Sequence, residues 1–275
     1  MNRLSLSTRS RILACLVEGN SLRSTARMVD VSLNTVLKFV RDLGMACAMY
    51  QHEHLRGITS KRVQCDEIWS FIGAKEKNVP KAAKGFGRGD VYTWVAIDAD
   101  TKLVMSWLVG RRDWQYAQVF IDDLASRLAN RVQLSTDGHH AYLDAVENAF
   151  AGEIDYGMLK KIYGNPGGGK DERRYSSGEC CGAIKGAVCG ETDEAHISTS
   201  FVERQNLTMR MGMRRFTRLT NGFSKKVENH DYAIAIHYMH YNFGRIHKTL
   251  RVTPAMESGL SDHIWSLEEI ARLAD

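Results

Sequence analysis

The N-terminal part of the chain carries apolar side chains at helical spacing, interrupted twice by residues that favour turns. The pattern predicts helices over 8–18, 22–29 and 33–43, the last ended by Gly44. A tight turn through residues 30–31 separates the second helix from the third. A short helix, a tight turn and a longer helix together are typical of the helix-turn-helix arrangement.

In a helix-turn-helix unit the third predicted helix would enter the major groove of DNA. Its DNA-contacting positions are predicted to be Asn34, Thr35, Lys38 and Arg41. An Asn side chain can read adenine edges, while Lys and Arg can reach phosphates or guanine. The same pattern also fits a small three-helix packing unit with no role in DNA binding.

After residue 61 the apolar spacing becomes typical of strands. Three strands forming an antiparallel meander are predicted over 63–73, 91–97 and 103–109. They are followed by a helix over 114–128, a short strand over 132–136 and a helix over 141–150. This order matches the ribonuclease-H-like fold. The predicted fold class is therefore an α/β ribonuclease-H-like catalytic domain preceded by an all-α helix-turn-helix domain.

Residues 160–199 break the pattern, because glycines are frequent there and the periodicity is weak. We predict a Gly-rich insertion. Regularity returns with a helix from Ser200 to about Met213 and a final helix from about Val227 to Asn242. The predicted organisation is a helix-turn-helix domain at 1–45, a linker or connecting helix at 46–61, a catalytic domain at 62–245 and a C-terminal tail at 246–275.

Composition and charge change this picture in one respect. The 275 residues are 44% apolar and 25% charged, as in ordinary globular proteins. With neither a long apolar run nor a signal-peptide core, we expect a cytoplasmic, nucleoid-associated protein with no membrane partner. The net charge of +5 is uneven: residues 1–62 carry +6, residues 200–251 carry +7, and the remainder is acidic. Two basic segments favour a polyanionic partner, although solvated helix faces give the same signal.

The six cysteines form no C-x-x-C pair. A zinc site at Cys180, Cys181, Cys189 and His196 is a weak hypothesis. Reduced thiols are the expected state of a cytosolic chain.

Three carboxylates lie in strand-like or helical settings far apart in the sequence: Asp66, Asp137 and Glu203. Brought together by a fold, such residues can hold two hard divalent cations, Mg²⁺ or Mn²⁺, for phosphoryl transfer. The alternative for each acid is an ordinary capping or surface role.

The chain resembles the transposases of the insertion-sequence-one family. The resemblance rests on four stretches, at residues 66–75, 136–138, 202–210 and 223–231. The ending at 241–250, with Thr253 and Pro254, is similar to the tail of several insertion-element transposases. The family resemblance implies an Asp-Asp-Glu catalytic triad, which falls on Asp66, Asp137 and Glu203. It also implies a basic residue seven positions after the Glu, where Arg210 stands. Asn206 shares that helix face and, with Arg210, could hold a substrate phosphate or a terminal base.

Two features depart from the family pattern. Family members usually carry a cysteine zinc-binding element before the helix-turn-helix, and none is present here. The helix-turn-helix alone would then recognise the ends of the element. The gap between the second and third acids is also long, which leaves Glu179, Glu191 and Glu194 as rivals for the third position.

A dense basic stretch follows the third acid. Arg214, Arg215, Lys225 and Lys226 are predicted to contact a DNA backbone, although a solvated face is the plain alternative.

The resemblance implies a DNA transposase that binds terminal inverted repeats, cleaves strands and joins 3′-hydroxyl ends to target DNA. Assembly into a homo-oligomer on DNA is expected, because two ends must be held together. The alternatives are an inactive repressor that binds the repeats, and a metal-dependent nuclease that performs no joining.

Overall fold

The computed structural model describes residues 4–83, 85, 87–164, 180–217 and 220–275. The N-terminal unit consists of α1 (Leu6–Val17), α2 (Leu22–Val29) and α3 (Leu33–His54). A serine hydroxyl caps the N-terminus of each helix by accepting a backbone N–H. The turn between α2 and α3 is made by Asp30 in the left-handed conformation, with φ of 57°. The predicted helix-turn-helix arrangement is therefore present.

The prediction that Gly44 ends the third helix is wrong, since α3 continues for ten more residues. A Cβ atom at Gly44 would lie 2.4 Å from the Cβ of Tyr232, so glycine permits the close crossing of α3 and a later helix. Nine residues of the predicted linker, 46–54, are thus helical. Gln51 within them is fully buried and donates a 3.0 Å hydrogen bond to the Ala235 carbonyl. The helix-turn-helix is packed firmly on the rest of the chain.

A six-stranded mixed sheet forms the centre of the predicted catalytic domain, in the order β3-β2-β1-β4-β5-β6. β1 pairs antiparallel with β2 and parallel with β4, and β4 pairs parallel with β5. An antiparallel meander whose first strand lies beside a parallel fourth strand is the ribonuclease-H-like arrangement, as predicted. The strands are β1 (Arg62–Ile72), β2 (Gly89–Asp98), β3 (Val104–Gly110), β4 (Gln133–Asp137), β5 (Asp155–Tyr163) and β6 (Cys180–Cys189).

Helices cover both faces of the sheet. One core cluster holds Val63 and Cys65 of β1 with residues of the helices α4 and α5, and a second holds Ile68 with residues of α6 and α7. Alternate β1 side chains therefore reach opposite faces, as the strand period requires. The helices are α4 (Trp114–Arg127), α5 (Ala141–Phe150), α6 (Ser200–Gly212) and α7 (Val227–Met239).

The predicted insertion at 160–199 is in part regular structure. It contains the end of β5 and the whole of β6, which pairs antiparallel with β5. Nearly every β6 residue is exposed, so no apolar alternation marks it in the sequence. The glycine-rich centre of the insertion, 165–179, lies outside the described residues, and so does Glu179.

The pairing of β5 with β6 also bears on the zinc hypothesis. Cys180 pairs with Tyr163 and Cys189 with Tyr156, at opposite ends of β6. Nine strand positions span about 30 Å, too far for both thiols to bind one ion. The hypothesis is wrong for this pair.

The C-terminal residues fold back onto the N-terminal unit. α7 continues through a π-helical turn at His240–Gly244, followed by α8 (Pro254–Glu257) and α9 (Leu267–Arg272). Arg9 of α1 donates a 3.0 Å hydrogen bond to the Ala271 carbonyl. The predicted tail is thus packed against α1 rather than extended. No helix in the described part of the chain combines the length and apolar character needed to cross a membrane.

Candidate active site

Asp66 and Asp137 lie side by side on adjacent parallel strands. The β1–β4 register pairs Gln64 with Ser135, which places Asp66 and Asp137 opposite each other two residues further on. The Gln64 side chain accepts a 2.8 Å hydrogen bond from the backbone N–H of Phe201, at the start of α6. The strand positions that carry the two aspartates therefore face the beginning of α6.

Glu203 enters this region from the first turn of α6. A cleft of about 470 Å³, which we call the acidic cleft, is lined by Asp66, Asp137 and Glu203 together. The rival acids Glu191 and Glu194 do not line it. The three predicted carboxylates thus line one cleft, from two strands and a helix. Glu203 is not part of the tighter group of carboxylates around Asp66 and Asp137.

Neighbouring side chains hold these carboxylates in position. Asn206 is buried, and its Nδ2 donates a 2.9 Å hydrogen bond to Oδ2 of Asp66. The Thr199 hydroxyl donates to Glu203, and Lys161 of β5 forms an ion pair with the same carboxylate. The hydrogen bond from Asn206 lets it orient Asp66. A contact of Asn206 with substrate stays a prediction.

Sequence reasoning did not assign a role to Glu67 or Arg112. The Glu67 side chain is only 1% exposed and accepts a 2.8 Å hydrogen bond from Nε of Arg112. The same guanidinium donates from Nη2 to Asp137 at 3.0 Å. Carboxylate oxygens of Asp66, Glu67 and Asp137 lie within 4.8 Å of one another. The adjacent acids at 66 and 67 were the available signal for Glu67, whereas Arg112 stands in a turn without a motif.

Burial and the nearby negative charges raise the pKa values of two of these acids, Asp66 and Glu67. Burial, followed by the charges of Glu67 and Asp137, raises the pKa of Asp66 to about 7. Burial and the charge of Asp137 also raise the pKa of Glu67, against the opposing effect of Arg112. Crowded carboxylates with raised pKa values and oxygen donors suit a hard divalent cation. The residues present therefore fit the predicted metal chemistry.

Asn206→Ala is expected to weaken metal binding and cleavage by about 10–100-fold, because the group that orients Asp66 would be lost. Titration with Mn²⁺ by calorimetry would measure the affinity. The control Thr208→Ala, on the same helix and outside the acidic cleft, should leave the affinity for Mn²⁺ unchanged. Equal affinities for all three proteins would contradict the orienting role.

The predicted DNA-contacting residues of α3 lie at its N-terminal half. Asn34 is exposed and Thr35 is half-buried. Lys38 and Arg41 are exposed and each pairs with Asp42, at 2.5 and 3.2 Å. Exposed ion pairs contribute little, so phosphates could replace Asp42 as the partner. Placement on the exposed part of α3 is compatible with groove binding.

The basic residues after Glu203 do not all share one setting. Arg210 is half-buried on α6 and does not line the acidic cleft. Arg214, Lys225 and Lys226 are exposed. Arg215 differs, because burial lowers its pKa to about 10 and its Nη1 donates a 2.6 Å hydrogen bond to the hydroxyl of buried Ser224. It is not the freely exposed side chain that the prediction assumed.

The strand order and the acidic cleft together define a ribonuclease-H-like protein with clustered carboxylates. Residues 86–163 match a family model, DDE_Tnp_IS240, that is described as a DDE domain. This segment is under a third of the chain and contains Asp137 but neither Asp66 nor Glu203. The matching model is not one of the insertion-sequence-one family.

Two solved structures are similar over part of the chain. They are the "Mos1 transposase paired-end complex with left transposon end", at 13% identity, and the "Crystal structure of the Mos1 mariner paired end complex with Mn", at 14%. Each match covers 55% of this chain and 58% of the Mos1 chain, with a TM-score of 0.22. At that score the likeness adds nothing to the fold assignment, which rests on strand order and register. No curated protein matches the chain.

Proposed function

We propose that this protein is a DNA transposase of the Asp-Asp-Glu type, a metal-dependent polynucleotidyl transferase. The observation that carries the proposal is the meeting of Asp66, Asp137 and Glu203 in one cleft, with Asn206 bonded to Asp66. The match of residues 86–163 to a DDE domain supports it. Membership of the insertion-sequence-one family is the finer proposal, and it rests on the sequence motifs.

Different residues in and around the acidic cleft would bind the metal, orient the carboxylates and contact the phosphate. Asp66, Asp137 and Glu203 would hold Mg²⁺ or Mn²⁺, and Glu67 lies close enough to add a fourth carboxylate. Bound cations would supply charge neutralisation at the phosphate and a water or 3′-hydroxyl activated for attack. Asn206 and Thr199 fix the carboxylate orientations. Arg112 and Lys161, which already balance acidic charge, stand at the cleft where a scissile phosphate would enter.

DNA recognition is assigned to surfaces outside the acidic cleft. We propose that Asn34, Thr35, Lys38 and Arg41 of α3 read the terminal inverted repeats, and that exposed Arg214, Lys225 and Lys226 contact backbone phosphates. Arg210 is the family's basic position near the third acid. Assembly as a homo-oligomer on two DNA ends, in the cytoplasm and on the nucleoid, completes the proposal.

A cleavage and joining assay with purified protein would test this function directly. Duplexes taken from the DNA that flanks the gene, incubated with Mg²⁺, should be cut and then joined through their 3′ ends to a supercoiled target, and EDTA should abolish both products. Gel analysis of end-labelled strands would separate the two steps. Cutting without joining would identify a nuclease, and binding without cutting would identify a repressor; either result would refute the transposase proposal.

A further inference from the structure

A second cleft, of about 650 Å³, lies between the helix-turn-helix and the catalytic domain. We call it the junction cleft. Leu33, Leu37 and Val40 of α3 form part of one wall, and the segments on either side of residues 218–219 form the opposite wall. Gly19, after α1, comes so close to Gly212 that a Cβ atom on Gly19 would lie 3.3 Å from the Gly212 carbonyl oxygen. The junction cleft therefore begins where α6, the helix of Glu203, ends.

The charge of the junction cleft has one sign. Five cationic side chains line it: Arg23, Arg214, Arg215, Lys225 and Lys226. The described lining residues include no Asp or Glu. Among the residues that the structure describes, none of the five has a carboxylate within ion-pair distance. Elsewhere in the fold Arg62, Arg112 and Arg127 each have such a partner. The described lining of the junction cleft therefore has five positively charged side chains and no carboxylate that neutralises them.

Arg215 makes this more than a surface patch. Arg215 is half-buried and lines the junction cleft, and a hydroxyl is its only hydrogen-bond partner in the described chain. That hydroxyl, of Ser224, shares a second hydrogen bond of 2.8 Å with His230, which is itself fully buried. The backbone of Ser224 accepts from Gly73 at 2.8 Å, just after β1. A cation that is half removed from water, held by a hydroxyl and without a counter-charge is stabilised when an anion completes its site.

We propose that the junction cleft binds the sugar-phosphate backbone of duplex DNA as the DNA passes from the helix-turn-helix towards the acidic cleft. The ligand class rests on the proposed function, which makes DNA the substrate. Arg23 comes from α2 and the other four cations come from the catalytic domain, so one DNA segment would contact both. Neutralising phosphates with several Lys and Arg residues releases counterions and gives strong, salt-dependent binding. An acidic peptide is the weaker candidate, because lysines are depleted in protein–protein interfaces.

The test measures binding of a random-sequence duplex by fluorescence anisotropy in EDTA, between about 50 and 200 mM salt. The variant Arg214→Gln/Lys225→Gln/Lys226→Gln should bind at least about tenfold more weakly, and its slope of log affinity against log salt should be shallower by about 3. The control Arg11→Gln/Lys248→Gln/Arg272→Gln loses the same charge from exposed positions outside the junction cleft. It should keep the wild-type slope. An unchanged slope in the first variant, or equal losses in both, would overturn the proposal.

Two further arms separate the other occupants. Arg23→Gln, on the helix-turn-helix wall, should reduce the slope by about 1; a wild-type slope would remove that wall from the DNA path and overturn the two-sided contact. Inorganic phosphate at constant ionic strength should not displace the duplex, and displacement would indicate a small-anion site instead. Loss of self-association with unchanged DNA affinity, measured by sedimentation, would indicate a protein interface.

Failure here is distinguishable from failure of the proposed function, because EDTA removes catalysis from the measurement. Wild-type protein that never cuts DNA, with a reduced slope in the cleft variant, would refute the transposase and leave the junction cleft as a DNA site. Normal cutting by the wild type, with an unchanged slope in the cleft variant, would support the transposase and refute the junction cleft as a DNA site.

Discussion

Asp66→Asn, Asp137→Asn and Glu203→Gln are each expected to lower strand cleavage by about 10³-fold or more while leaving binding to the terminal repeats intact. Each change keeps the size of the side chain and removes one negative charge from the acidic cleft. Since a divalent cation needs several anionic oxygens, one missing carboxylate disables the whole cluster. Recognition of the repeats is assigned to α3, which does not line the acidic cleft and should bind as before.

The measurement is single-turnover cleavage of an end-labelled duplex, with affinity for the same duplex determined by anisotropy. Glu191→Gln is the matched control, because Glu191 is an exposed acid and a rival for the third position that lies outside the acidic cleft. It should cleave at the wild-type rate. Full activity in Glu203→Gln together with loss of activity in Glu191→Gln would show that Glu191, and not Glu203, is the third acid. Activity in all three triad variants would refute the proposed function.

The parts of this fold that the sequence predicted are those with a local signal. Asp66 and Asp137 lie on strands that the pattern of apolar residues predicts. The order of the elements along the chain was enough to predict that these two strands are neighbours in the sheet. Glu203 was found through its helix and through the family motif. In each case a short stretch of sequence was enough to predict the strand or helix that carries the acid.

The parts that the sequence did not predict depend on contacts between distant residues. Gly44 has the local signature of a helix end, but its function is to admit Tyr232 at a helix crossing. β6 is exposed on almost every residue, so its pairing with β5 leaves no apolar pattern. Arg215 belongs to a basic run, and only the fold places its guanidinium against the hydroxyl of Ser224, next to buried His230. Arg112 joins Glu67 to Asp137 across elements that are far apart in the sequence.

Asp66→Asn is expected to stabilise the metal-free protein, and increasingly so as the pH rises. The pKa of Asp66 is about 7 in the folded chain and 3.8 ordinarily. Below about pH 3 the carboxyl is protonated in both states and has no effect. Between about pH 3 and pH 7 the unfolded chain ionises first, so the folded state loses stability as the pH rises, and above pH 7 the whole penalty is present. A shift of this size corresponds to about 4 kcal/mol.

Urea unfolding in EDTA at a series of pH values would measure this effect. The difference in free energy of unfolding between Asp66→Asn and wild type should grow from near zero at about pH 3 to its full value by about pH 8. Asn at position 66 can still accept the hydrogen bond from Asn206, so the difference reports the charge. Asp155→Asn gives a control of opposite sign, because its ion pair with Arg131 lowers the pKa of Asp155 and the substitution should destabilise the protein above pH 4.

Divalent cations should reverse the penalty at Asp66. A cation that binds the folded cluster and not the unfolded chain stabilises by mass action, so Mg²⁺ or Mn²⁺ should raise the free energy of unfolding of wild type most above pH 7, where Asp66 is ionised. The gain should be much smaller in Asp66→Asn. A difference between the two proteins that does not change with pH, or an equal response to the metal, would mean that Asp66 is neither crowded nor a ligand. The acidic cleft would then lack the charge on which phosphoryl transfer depends.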